Sequence, residues 1–273
     1  MDIKSKIDYS YEIIKNIGTS KNSGLFLILC DLNKTGGKNY YLLNKFEINN
    51  INEIELINHI NKIKSINCKY VIKIYDLFIE KKEQKKYLCI LTDYYEKGNL
   101  SKLISQKEIL DSRFIWRIFI QLIFGLNSLH TNDLIAKNLS PQNIYIDNKN
   151  NVIINELGIS LNNNKEKDYS LFLYISPEII NEQEYDQKSD VWSLGCILYE
   201  LITKKKPFYL TENILKINYN KSLIMNNDFE YLLSKLLSFE KKRFSINQIL
   251  KDRIIGIRIM EENLFDEENI KGK

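Results

Sequence analysis

A chain of 273 residues is long for one compact core and suits a domain of two lobes, and 44 % hydrophobic residues supply the apolar surface to build it. Its 39 basic and 35 acidic side chains leave a net charge of only +4, spread along the chain, which gives no footing to a nucleic-acid-binding stripe or a membrane-binding patch. Cys30, Cys68, Cys89 and Cys196 are scattered without a C-x-x-C pair and read as reduced thiols, so a cytosolic or nuclear protein is expected.

The opening stretch, MDIKSKIDYSYEIIK, has no apolar core of the kind a secretory signal needs. Residues 9–48 alternate apolar and polar runs around Gly18, Gly24 and the Gly36-Gly37 turn, which predicts three antiparallel strands. Ile51, Ile54, Ile57, Ile60 and Ile63 recur at helical spacing and predict a helix over 51–66. Two more strands are predicted at Ile72–Glu80 and Tyr87–Asp93, joined by a lysine-rich hairpin. Beyond Gly98 the pattern turns helical, apart from short strand-like runs at Asn143–Ile146 and Val152–Ile154. Phe114 to Leu129 is the most apolar stretch, but Arg117 and Gln121 interrupt it and mark a buried helix rather than a membrane span. The fold class is therefore α+β. A small antiparallel β lobe with one main helix (about 1–93) leads through a hinge (93–98) to a larger helical lobe (99–255), and a charged tail follows from 256 to 273.

Five segments, with Arg243, carry a family resemblance. KSDVWSLGCILYEL at 188–201, SPE at 176–178, NLSPQNIYI at 138–146, EKGNL at 96–100 and YLLNKFEI at 41–48 resemble protein kinases in order and spacing. The last resembles the third strand of the NIMA-related serine/threonine kinases almost residue for residue. The resemblance implies that Asp190 binds the backbone of the catalytic loop and that Glu178 pairs with Arg243 in KKRFSINQIL. These are scaffold roles, not catalytic ones.

A kinase must cradle phosphates, hold magnesium and position a hydroxyl beside a carboxylate. Carried over residue by residue, most of these positions are altered. Gly18, Ser20 and Ser23 stand at the three glycines of the phosphate loop, with Thr19 between them and Gly24 shifted by one as a partial rescue of the turn. Asn44 replaces the third-strand lysine; Lys45 belongs to the opposite strand face. His59 stands at the partner glutamate of the first helix, and Glu55 lies one turn earlier. The H-R-D triplet reads Ala136-Lys137-Asn138, so an amide occupies the position of the base, and Ser140 replaces the nearby lysine. Asn143, the second-metal ligand, is retained; D-F-G reads Glu156-Leu157-Gly158, which leaves Asn143 and Glu156 as the remaining metal pair.

Around the adenine position, Leu42 and Tyr145 add volume, Thr92 is a small gatekeeper expected to leave a back pocket open, and Tyr95 lies in the hinge. Between Gly158 and Ser176, Ser160, Tyr169 and Ser170 are candidates for modification, and Leu171 replaces the usual threonine. The retained residues build the fold and the replaced ones perform the reaction. The expectation is a pseudokinase that acts as a scaffold or allosteric partner of other proteins, an active kinase among them, with no cofactor, nucleic acid or membrane. The alternative is a weak or unconventional ATP-dependent serine/threonine kinase using Mg²⁺ or Mn²⁺ held by Asn143 and Glu156.

Overall fold

In a computed structural model the described residues are 11–20, 23–32, 37–48, 52–82, 84–106, 109–155, 157 and 173–262, with backbone only at 19, 20 and 23. The chain divides into two units. The first comprises 1–65, 72–94 and 157–166, and the second 66–71, 95–156 and 167–273.

The first unit is built on a five-stranded antiparallel sheet. Its strands are β1 (Tyr11–Ser20), β2 (Ser23–Cys30), β3 (Asn39–Glu47), β4 (Ile74–Lys82) and β5 (Lys85–Asp93), in the order β1-β2-β3-β5-β4. The central strands β3 and β5 bury residues on both faces, Leu42 and Phe46 on one face of β3 and Tyr41 and Leu43 on the other. One face carries a core of Ile28, Cys30, Tyr41, Leu43, Phe78, Cys89 and Leu91. Gly24 lies within β2, opposite Thr19 and Lys45, rather than in the turn where a rescuing glycine was expected. A Cβ there would come within 2.5 Å of the Phe26 ring, so its smallness serves packing. The edges are blunted: β1 has two register shifts, and β4 ends in the exposed Lys81 and Lys82.

Helix α1 (Glu53–Lys64) starts at Asn52, whose side chain accepts from the Glu55 amide, and carries acids in its first turn and lysines in its last. Its buried stripe is Leu56, Ile60 and Ile63. The row of isoleucines that predicts the helix is not its buried face, since Ile54 is 73 % exposed. A strict three-residue repeat drifts around a helix of 3.6 residues per turn, so the row leaves the buried face within two turns.

The second unit is helical. It contains α2 (Leu100–Ser105), α3 (Ser112–Thr131), a short hairpin of β6 (Ile144–Ile146) and β7 (Val152–Ile154), then α4 (Pro177–Ile180), α5 (Gln187–Thr203), α6 (Thr211–Leu215), α7 (Asn227–Leu236), α8 (Ile246–Leu250) and α9 (Arg253–Glu261). Helices α3 and α5 are apolar almost all round and form the centre of the unit. Gly195 lets α5 approach α7 closely, because a Cβ at that position would sit 2.9 Å from Leu236 Cβ. An Asp186–Ser189 capping box opens α5, and Lys204, in the left-handed conformation, closes it.

Residues 256–261, expected to belong to the charged tail, are helical. Helix α9 runs on through Gly256 to Glu261 because Ile255 and Ile259 bury its inner face. Among the described residues no helix is long and apolar enough to cross a membrane. All four cysteines are free thiols, and three of them are buried.

Candidate functional site

The residues expected to handle a nucleotide in the first unit lie on β1, β2, β3 and β5. Asn44 is 5 % exposed and sits opposite Ile90, on the same sheet face as Thr92 two residues further along. Its Nδ2 donates to Thr92 Oγ1 at 3.3 Å. The gatekeeper hydroxyl is thus fully enclosed and bonded, and the side chain does not front the open pocket its size suggested. Lys45 faces the other way. It pairs with Glu80 at 2.9 Å and lies 4.5 Å from the centre of the Tyr87 ring, so it cannot stand in for a lysine at position 44. Leu42 is buried. Gly18 is exposed and pairs with Leu25, and Ser20 pairs with Ser23 at the end of the β1–β2 ladder. His59 is half-buried on α1.

In the second unit the loop 134–143 is shaped from below. Asp190, wholly buried at the start of α5, accepts from the amides of Ala136 at 2.8 Å and Lys137 at 3.0 Å, and shares a 2.8 Å hydrogen bond with His130 Nε2. Burial pushes the Asp190 carboxyl up, against the hydrogen bonds that favour its charge. Lys137 is held at a φ of 46°, a left-handed conformation that a side chain adopts only when its surroundings enforce it. Asn138 is half-buried, and its carbonyl accepts from Asn143 Nδ2 at 3.0 Å. The Asn143 carbonyl in turn accepts from the Asn155 amide at 2.9 Å, which ties the loop to the end of β7.

Ser140 is 1 % exposed, and its hydroxyl has no partner among the described residues. It is therefore turned into the protein, where the family lysine would reach for phosphate. Tyr145 and Tyr95 stack with ring centres 5.4 Å apart. Burial raises the Tyr145 phenol, partly offset by its hydrogen bond with Asn155.

The third constellation follows residue 173. Arg243 donates to both Glu178 oxygens, with NH2 to Oε2 at 3.0 Å. Its remaining donors reach the carbonyls of Ser238 at 3.0 Å and Lys188 at 2.9 Å, and its guanidinium lies over the Trp192 ring. Ser189 adds a hydrogen bond to Glu178 Oε1 at 3.2 Å. Just upstream, the Tyr174 hydroxyl donates to Glu200 and the Tyr174 carbonyl accepts from Ser193, so α5 holds this residue at both ends.

A family model described as a protein kinase domain matches residues 11–255. The chain belongs to the protein kinase domain family. Similar relatives include the probable serine/threonine-protein kinase nek2 of Dictyostelium discoideum (26 % identical, covering 77 % of this chain and 54 % of the relative). Serine/threonine-protein kinase Nek2 of Homo sapiens is 26 % identical over 92 % of this chain and 61 % of its own length. Serine/threonine-protein kinase nekl-2 of Caenorhabditis elegans is 30 % identical over 78 % of this chain and 65 % of its own length. The kinase domain thus spans just over half to about two thirds of the length of these relatives.

Metal binding can be tested against the residues that would supply it. With Nδ2 committed to Asn138, Asn143 offers one neutral oxygen. Among the described residues no group of three histidines, cysteines or carboxylates could hold a metal ion. Mg²⁺ asks for near-octahedral hard oxygens, of which Asn143 would supply one. The other expected ligand, Glu156, lies outside the described residues, as do Gly158, Ser160, Tyr169, Ser170 and Leu171.

Three positions of this kinase domain were not singled out from its sequence: His130, Tyr174 and Glu200. His130 sits in the last turn of α3, between Leu129 and Thr131, and only its burial against Asp190 gives it meaning. The Tyr174–Glu200 bond joins residues 26 apart that no local pattern connects.

Proposed function

We propose that this kinase domain is a degenerate, NIMA-related one, catalytically impaired, and that it works as a scaffold or allosteric partner in phosphorylation signalling. The observation that carries the reading is Asn44. The position that needs a long cation for the phosphates holds a short neutral amide, buried and already donating to Thr92. Asn138 at the base position and the inward-turned Ser140 support it from the second unit. A positioned general base contributes about 10²–10⁴-fold, and an amide oxygen is not a base of that kind.

A second reading has its own support. Asn143 retains the family's amide, whose side-chain Nδ2, and not its Oδ1, is bonded to Asn138, and the relatives are named as serine/threonine kinases. On that reading the chain is a weak or unconventional protein kinase that uses ATP with Mg²⁺ or Mn²⁺. In either case the partners are other proteins, an active kinase among them, rather than nucleic acid or membrane. The four free cysteines favour cytosol or nucleus as the compartment.

Thermal unfolding with millimolar ATP, alone and with Mg²⁺ or Mn²⁺, separates the two readings. Ligands that bind only the folded state raise the melting temperature with occupancy. Impairment at the level of nucleotide binding predicts little or no shift. A rise of several degrees with Mg-ATP overturns it in favour of the second reading.

A further inference from the structure

The outer side of β1 meets no strand among the described residues, since β1 ends the sheet of the first unit. Ile13 is 55 % exposed, Ile14 44 % and Ile17 42 %. Neighbours in a strand point to opposite faces, so exposure of both Ile13 and Ile14 means that neither face of this edge is covered. Glu12 and Lys15, which flank the two isoleucines, are exposed as well, and among the described residues neither side chain has a hydrogen-bond or ion-pair partner.

An irregularity places the two charges. Three residues apart in a regular strand, Glu12 and Lys15 would face opposite sides of the sheet. The register shift between Ile13 and Lys15 takes up one residue, so Glu12 stands opposite Leu29 and Lys15 opposite Leu27, with Ile13 opposite Ile28 between them. Leu27 and Leu29 share one face of β2, so the acid and the base share that face on β1, while Ile13 takes the other. The two charges cancel, which offers little to a purely acidic or purely basic ligand. An acid, two isoleucines and a base in that order complement their own reversal, which is what a two-fold interface requires of a surface.

We propose that two copies of this chain associate through β1. A two-fold axis normal to the sheet, passing between Ile13 and Ile14, runs the two strands antiparallel and keeps each face on its own side. Glu12 of one copy then meets Lys15 of the other, twice, around an apolar centre of isoleucines. In a regular strand the same rotation would leave each acid and base on opposite faces. The shift also interrupts the ladder that open-ended strand addition needs, whereas a two-fold contact closes on itself. So short a contact belongs to the weak, transient class of interface. The inference stands whether or not the domain transfers phosphate.

The test is sedimentation equilibrium of the full chain from micromolar to near-millimolar concentration, where a reversible monomer–dimer equilibrium is expected. Glu12→Lys and Lys15→Glu each set like charges against one another and should each weaken it about tenfold. Mixed together, the two single variants again oppose lysine to glutamate at both contacts, and the mixture should associate within about threefold of the wild type. Glu12→Lys and Lys15→Glu combined in one chain should do the same. Lys81→Glu makes the same change of charge as Lys15→Glu on exposed β4, at the other edge of the sheet, and should leave the equilibrium unchanged. Melting temperatures identify any single variant that fails to fold, in which case the chain carrying both exchanges decides. A chain that stays monomeric throughout overturns the proposal. So does a dimer indifferent to both single variants, equal weakening by Lys81→Glu, or no recovery on mixing.

Discussion

Arg243 and Glu178 form a two-pronged ion pair with almost no solvent exposure on either side chain, joining the turn at α4 to the segment between α7 and α8. Removing one partner leaves the other charge stranded in a site built for two, at a cost of about 3–5 kcal/mol. Arg243→Ala should therefore lower the melting temperature by about 10 °C or more, or prevent folding. Asn138→Ala should barely move it. Equal melting temperatures for the two variants would contradict the assignment of Arg243 to stability.

The same pair sets a pH signature. Burial works against the Glu178 charge, yet the hydrogen bonds and charge of Arg243 outweigh it and hold the carboxyl below its usual range. A carboxylate lowered in this way stabilises the fold above its unfolded pKa of about 4.3 and loses that contribution as pH falls through the folded value. The gap in melting temperature between wild type and Glu178→Gln should be flat near neutrality and narrow below about pH 4. Asp190 and Glu200, which burial raises, slope the other way but are common to both proteins and cancel in the difference. A gap that widens on acidification would refute the linkage.

Restoring the base alone should not restore a reaction. Asn138→Asp supplies a carboxylate, but Asn44 still stands at the lysine position, and the Ser140 hydroxyl remains buried. Effects within one catalytic unit are not additive, so a single repair recovers little. Transfer of labelled phosphate to a generic peptide should stay at background. Clear transfer by this one variant would show the site to be far more intact than Asn44 suggests.

Gly195→Ala tests the packing of α5. Alanine favours a helix over glycine by about 1 kcal/mol, so propensity alone predicts a gain. The new methyl would lie 2.9 Å from Leu236 Cβ, an atom fixed to the α7 backbone that cannot swing aside. Overpacking of this kind costs about 1–3 kcal/mol, and a net loss is expected in urea unfolding. Gly18→Ala, with nothing within 4 Å, should be close to neutral. A stabilised Gly195→Ala would mean that α7 yields more easily than its burial implies.

The sequence made the fold legible where a pattern is local. Alternation gave the five strands, and the long apolar run of α3 stood out unaided. It was less informative wherever two distant residues decide the matter. Asn44 could be read as a lost lysine, but its hydrogen bond depends on the β3–β5 register, which places Thr92 beside it. The isoleucine spacing predicts the helix over 51–66 but not its buried face, which runs through Leu56 and leaves Ile54 exposed. Ser140 reads from sequence as a missing cation. That it also turns inward is a property of the loop, not of the residue.

Asp190 holds the loop by two main-chain N–H groups, and a main-chain N–H is the same whatever side chain follows it. The mould is therefore blind to what is cast in it. Ala136, Lys137 and Asn138 can be exchanged without changing what Asp190 grips, and even the left-handed turn at Lys137 is imposed from outside rather than encoded there. In this architecture the shape of the loop and its chemistry are inherited separately. A kinase domain of this kind can shed its reaction one residue at a time and still present the same contour to whatever recognises it.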